Sequence, residues 1–197
     1  MEMMNFNAFC YFCHPKTVMH LKMKKIEISP KFYVVITMIF AGAFMRLIPH
    51  WPNFTPIAAI ALFGGTFLKR RELAFLIPVL AMLVSDAILG FHSTMFSVYA
   101  SFIAIVGLGL LLQSKLSVVN MLSASVASSA IFYLVTNFAS WTSGLMPYPM
   151  NIGGLMQSYI AGLPFFYNGI LGDLFYSSVL FGALFLVTNK QVVFTKS

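Results

Sequence analysis

The chain has 197 residues, of which 59% are hydrophobic, 16% aromatic and only 9% charged. A soluble domain carries about 25% charged residues, so this composition excludes an ordinary water-soluble globule and points to lipid as the solvent. The formal net charge of +7 does not mark a nucleic-acid binder, because Lys and Arg sit in short segments between long apolar runs and form no basic stripe.

In chain order, residues 1–30 form the one extended polar stretch, expected to be a cytoplasmic tail. It lacks the order of charge, apolar core and small-residue cleavage site that defines a signal peptide. Met23-Lys24-Lys25-Ile26 reads as a bacterial start, so residues 1–22 are expected to be an upstream extension. Cys10 and Cys13 are too close in sequence to build a disulfide framework. Cys10-Tyr11-Phe12-Cys13-His14 matches a haem-attachment pattern, but that chemistry belongs to the outer compartment, and no cofactor is expected.

The membrane domain is expected over residues 31–187, followed by a short cytoplasmic tail over 188–197. Apolar runs at about 31–48, 54–69, 73–90, 95–112, 118–141 and 165–187 approach the ~20 residues that cross ~30 Å of hydrocarbon. A piece at about 154–163 is too short to span and is expected at the surface or as a re-entrant segment, with Gly162-Leu163-Pro164 breaking the helix before the sixth span. The fold class is therefore an all-α integral membrane protein, a bundle of six transmembrane helices, since an open sheet edge cannot survive in lipid.

Charge sets the orientation. Lys16, Lys22, Lys24, Lys25 and Lys31 precede the first span, Lys69, Arg70 and Arg71 fill the second connection, Lys115 the fourth, and Lys190 and Lys196 the end. All of these fall on one side, leaving Arg46 alone on the other, so both termini are expected in the cytoplasm. The small-residue pairs Ala61 and Gly65, Ala124 and Ser128, and Ser125 and Ser129 are expected to let helices of the one chain pack closely.

With that orientation the polar residues gather in the outer third. Arg46, His50, Trp51, Asn53 and Thr55 lie between the first two spans. Asp86 and His92 stand at the outer end of the third and Tyr99 at the start of the fourth; Asn137 and Trp141 close the fifth, and Asn168 and Asp173 open the sixth. An ionisable group at membrane depth costs about 2.5–3.5 kcal/mol on insertion scales and usually faces a cavity and a partner. The candidate substrate-binding set is Arg46, His50, Asn53, Asp86, His92, Tyr99, Asn137, Trp141, Asn168 and Asp173. Arg46 would anchor an anionic group, Asp86 and Asp173 would accept hydrogen bonds or hold a cation, and Tyr99 and Trp141 would stack. The competing structural reading is an Asp–Arg clamp between helices, with the other residues as interfacial anchors.

No two of His50, His92, Asp86 and Asp173 share the three- or four-residue spacing of a helical metal pair, so no metal site is expected. The chain has no nucleophile elbow, zinc-protease motif or phosphate loop, so it is not expected to be an enzyme or to hydrolyse ATP. An intramembrane enzyme acting on a lipid-like substrate, and a scaffold without a small ligand, are the rival readings.

Residues 46–65, reading Arg-Leu-Ile-Pro-His-Trp-Pro-Asn-Phe-Thr-Pro-Ile-Ala-Ala-Ile-Ala-Leu-Phe-Gly-Gly, are the most distinctive stretch. With Leu83-Val-Ser-Asp-Ala-Ile-Leu-Gly-Phe-His-Ser and Gly172-Asp-Leu-Phe-Tyr, they resemble a family of bacterial membrane proteins that look like the substrate-binding (S) components of energy-coupling-factor (ECF) transporters. The resemblance implies a six-helix bundle in the bacterial cytoplasmic (inner) membrane, taking up a vitamin-like micronutrient or precursor from the outer side. It also implies an ATPase coupling module as partner. The first span departs from many S components: Ile39-Phe-Ala-Gly-Ala-Phe-Met-Arg holds no Ala-x-x-x-Ala docking motif, which leaves a protein working alone or with another partner as the alternative.

Overall fold

The computed structural model describes residues 30–49, 51–91, 93–144 and 146–188, and within them every regular element is an α-helix. The helices are α1 (Pro30–Met45), α2 (Ile57–Phe67), α3 (Arg71–Leu89), α4 (Met95–Leu112), α5 (Val118–Thr142) and α6 (Ile152–Thr188). Four of them, α3 to α6, are long and apolar enough to cross a membrane; α1 and α2 are apolar but shorter. Large apolar side chains cover the outside, among them Phe96, Leu111, Val119 and Leu186, a surface that water would not tolerate over such an area. The chain is a multi-pass membrane protein.

The bundle is organised around α2. Its 11 residues make a rod of only ~16 Å, and Ile57 to Thr66 are all buried by the surrounding helices. It packs most extensively on α4. At that crossing a methyl group on Gly109 would meet the Leu62 carbonyl and lie 2.9 Å from Gly65 Cα, so only two glycines allow the backbones to come this close. Ala61 and Gly65 thus pack inside one chain, as expected. Gly64 likewise leaves the room that the Pro78 ring of α3 occupies.

A short helix buried at both ends leaves carbonyl groups that lipid cannot satisfy. At the carboxyl end of α2 the Gln113 amide donates to Gly65 O at 2.8 Å and Leu68 O at 3.1 Å, and Thr66 Oγ1 donates to Leu62 O at 2.7 Å. The same contacts bring the Lys69–Arg71 and Lys115 connections to one end of the bundle, where Lys31 Nζ also stands 5.3 Å from the Phe67 ring centre. Arg46 lies at the opposite end, in the turn that follows α1.

α5 and α6 form a long antiparallel pair, zipped by Ser125–Ser177 at 3.2 Å, Ser129–Asp173 at 2.5 Å and Tyr133–Tyr159 O at 2.6 Å. Here the structure corrects the sequence reading. The segment expected at 154–163 and the sixth span expected at 165–187 are a single helix of 37 residues, with Pro164 inside it. Gly162 does not break that helix; a methyl group there would collide with the Asn137 side chain of α5, so glycine makes room for an asparagine. The second run is also shorter than expected, since residues 54–56 belong to the preceding loop and Leu68 to the turn that follows. Residues 1–29, including Cys10, Cys13 and the expected start at Met23, lie outside the described residues, as does the tail after residue 188.

The α2–α4 crossing supplies a direct test. Gly109→Leu is expected to lower stability by about 1–3 kcal/mol or more through overpacking. Gly107→Leu, two residues away with nothing within 4 Å of its added carbon, should leave the thermal midpoint in detergent close to wild type.

Candidate functional site

At the end of the bundle that carries Arg46, the amino end of α2 begins well inside the helix ring, and a cavity of about 380 Å³ opens above it. Its floor is Thr55 with Ile57 and Ala58, the first residues of α2. The start of α4 contributes Thr94 and Val98. One wall is the carboxyl-terminal half of α5, with Ser129, Phe132, Tyr133, Thr136, Asn137 and Ser140. The facing wall is α6, with Gly162, Phe165, Phe166, Gly169 and Asp173, and Arg46 and Asn53 complete the rim. The volume falls within the ~300–1,000 Å³ of small-molecule pockets, and the lining is the usual mixture of apolar surface and a few polar groups.

The two acids expected in the site behave differently. Asp86, in the last turn of α3, is 1% exposed. Its Oδ1 takes an ion pair from Arg46 Nη1 at 2.7 Å, and its Oδ2 accepts from Tyr99 OH at 2.8 Å. The same Nη1 donates to Ser85 Oγ and contacts Met82 Sδ at 3.5 Å. The turn after α1, the end of α3 and the start of α4 are thereby held by one charge-assisted network. Asp86 and Tyr99 stand behind the cavity wall, and Arg46 alone of the three reaches it.

Asp173, midway along α6, is 5% exposed and lines the cavity. Its Oδ2 accepts from Ser129 Oγ at 2.5 Å, and no Lys or Arg among the described residues lies within ion-pair distance. Ser129 also donates towards Ser125 O at 3.3 Å, which anchors the hydroxyl on α5.

The distinctive loop between α1 and α2 is seated on α6. Asn53 adopts a left-handed backbone (φ 60°), a conformation that asparagine tolerates better than most residues. Phe54 packs against Phe175 and Tyr176, with ring centres at 5.8 and 5.6 Å. A methyl group on Gly172 would stand 3.1 Å from Phe54 Cα and 3.2 Å from Thr55 N, so the glycine before Asp173 admits the loop backbone. Asn168 Nδ2 donates to Pro52 O at 3.1 Å.

Of the ten residues singled out by sequence, the structure therefore gathers Arg46, Asn53, Asn137 and Asp173 around the cavity. Asp86 and Tyr99 position Arg46. Asn168 tethers the α1–α2 loop, and Trp141 Nε1 donates to Pro149 O at 3.0 Å, tethering the α5–α6 loop. His50 and His92 lie outside the described residues. Missing from the sequence reading were the aromatic wall of Phe132, Tyr133, Phe165 and Phe166, in which Tyr133 and Phe166 stack at 4.6 Å, and the hydroxyls of Thr94, Ser129, Thr136 and Ser140. Among the described residues no group of three His, Cys, Asp or Glu comes together to hold a metal ion.

The contrast between the acids is testable. Asp86→Asn leaves the Arg46 charge buried without its counter-ion and is expected to cost about 3–5 kcal/mol. Asp173→Asn keeps an oxygen to accept from Ser129 while removing a charge that has no cation, so its thermal midpoint in detergent should equal or exceed wild type.

A family model described as a family of unknown function, DUF6580, matches residues 26–195. No curated protein and no solved structure matches the chain.

Proposed function

The chain belongs to DUF6580, a family of unknown function, and we infer that it is a membrane transport protein whose cavity binds a small solute from the outer side. The observation that carries this reading is the cavity itself: about 380 Å³, walled by aromatic rings and hydroxyls, with a buried acid and an arginine at its edge. Ionisable groups placed inside a membrane protein and facing a cavity are characteristic of solute pathways.

In this reading all six helices cross the bacterial cytoplasmic membrane in alternation, α2 with the help of its flanking turns and α6 with length to spare. Both termini are cytoplasmic. Support comes from the clustering of Lys31, Lys69, Arg70, Arg71 and Lys115 at the end opposite the cavity, as the positive-inside rule requires of a cytoplasmic face. The cavity then opens outward, the arrangement expected of an S-component-like subunit for a vitamin-like micronutrient or precursor. An ATPase coupling module is the partner such a subunit would use. Arg46 acts as a hydrogen-bond donor on the rim, its charge already met by Asp86. Asn53 and Asn137 read polar edges of the solute, and Asp173 marks the deepest polar point of the wall.

The test is thermal unfolding of the purified protein in mild detergent against a wide panel of vitamins, their precursors, amines and metal ions. A solute at 100 times its dissociation constant should stabilise the fold by about 2.7 kcal/mol. Gly169→Phe, at a wall position where an added carbon has its nearest neighbour 3.9 Å away, should fill the cavity, preserve the fold and abolish the shift. A flat response across the panel from well-folded protein, or a shift that survives Gly169→Phe unchanged, would count against solute binding here.

A further inference from the structure

The charge balance of the cavity is unequal. Arg46 at the rim is neutralised by Asp86 at 2.7 Å. Asp173 in the wall receives one hydrogen bond from Ser129 and no cation from any described residue, so with Asp173 ionised these three side chains sum to one negative charge. At 5% exposure Asp173 has little water to solvate it, and a buried carboxylate without a counter-charge is costly. A cation entering the cavity beside Asp173 would supply the counter-charge that the described residues do not.

The rest of the wall describes what carries that charge. A bare metal ion needs several oxygens converging at short range, whereas the cavity beside Asp173 has a volume of about 380 Å³ and is bordered by Phe132, Tyr133, Phe165 and Phe166. Ring faces attract ammonium groups and give flat apolar bodies a surface to lie on. The amino end of α2 lies in the floor and carries a partial positive charge, so it suits an acceptor atom and directs a cation away, towards α6.

We propose that the solute is an organic cation, a flat or ring-bearing molecule with one protonated amine, whose ammonium is received by Asp173 while its body lies against the aromatic wall. This rests on the solute-binding reading above and names the class of solute that the same cavity selects.

The experiment compares three probes of one shape, phenethylamine, 2-phenylethanol and 3-phenylpropionate, with NaCl as a fourth. Each is titrated at pH 8, where histidines are neutral, against wild type and Asp173→Asn, and the thermal midpoint in detergent is read. Phenethylamine should raise the wild-type midpoint with a half-saturating concentration at least tenfold below that of the alcohol, and should produce no shift in folded Asp173→Asn. Four results would overturn the cation assignment: saturation by the alcohol or the carboxylate at an equal or lower concentration, an amine shift unchanged by Asp173→Asn, an Asp173-dependent shift with NaCl and none with the amine, or no shift with any probe. None of these removes solute binding itself, which stands or falls on the wide panel and the cavity-filling variant.

Discussion

A helix too short to cross a bilayer, held at the centre of longer ones, is the constraint from which the rest of this structure follows. α2 has 11 residues, ~16 Å of rod, in a layer of ~30 Å. Its neighbours must therefore close one end and leave a space at the other. Gln113 closes the carboxyl end by donating to the Gly65 and Leu68 carbonyls, which lipid cannot satisfy. At the amino end the chain arrives through the Trp51–Pro56 loop, and the volume that a longer helix would have filled is the cavity. The Gly65–Gly109 approach is part of the same solution, because a short helix has few contacts to offer and must make each of them close.

The two acids show how similar local sequence serves different ends. Ser85-Asp86 and Gly172-Asp173 both place a small residue before an aspartate within an apolar helix. On α3 the small residue is a hydroxyl that joins Asp86 in holding Arg46, and the acid becomes part of a clamp among three elements. On α6 the small residue has no side chain, so the loop backbone lies against the helix and Asp173 is left beside the cavity with only a serine for company. The clamp fixes the rim, and the unclamped acid faces the cavity.

Much of this was legible in the sequence. The ends of α3, α4 and α5 fall within two residues of the apolar runs read there, because charge and glycine bound those runs sharply. α6 was not, because Pro164 was weighed as it would be in water. Inside a bundle, neighbouring groups and small local adjustments tolerate the missing donor, and the helix runs on. The ionisable residues were legible because their expense in lipid demands a reason: Arg46 and Asp86 pair with each other, and Asp173 lines the cavity. The aromatic wall was not, since Phe132, Phe165 and Phe166 look the same in sequence whether they face lipid or a cavity. Asn168 and Trp141 are the converse case: polar residues at helix ends whose partners proved to be loop carbonyls.

The placement of the unpaired acid also constrains how the cavity can work. Asp173 is bonded to Ser129, and one turn deeper Ser125 faces Ser177 at 3.2 Å, so the polar side chains of the α5–α6 seam continue past the cavity towards the basic end before Leu180, Phe181 and Leu184 make it apolar. A charge received at Asp173, as proposed, would be met by hydroxyls towards the basic end and by the open cavity on the other side, with no polar route beyond Ser177 among these residues. Under the transport reading, release towards the basic end could not proceed by a slide along this seam with the bundle at rest. It would require movement of the bundle as a body, or separation of α5 from α6 below Ser177, where Phe181 is also held on α2 through Phe63.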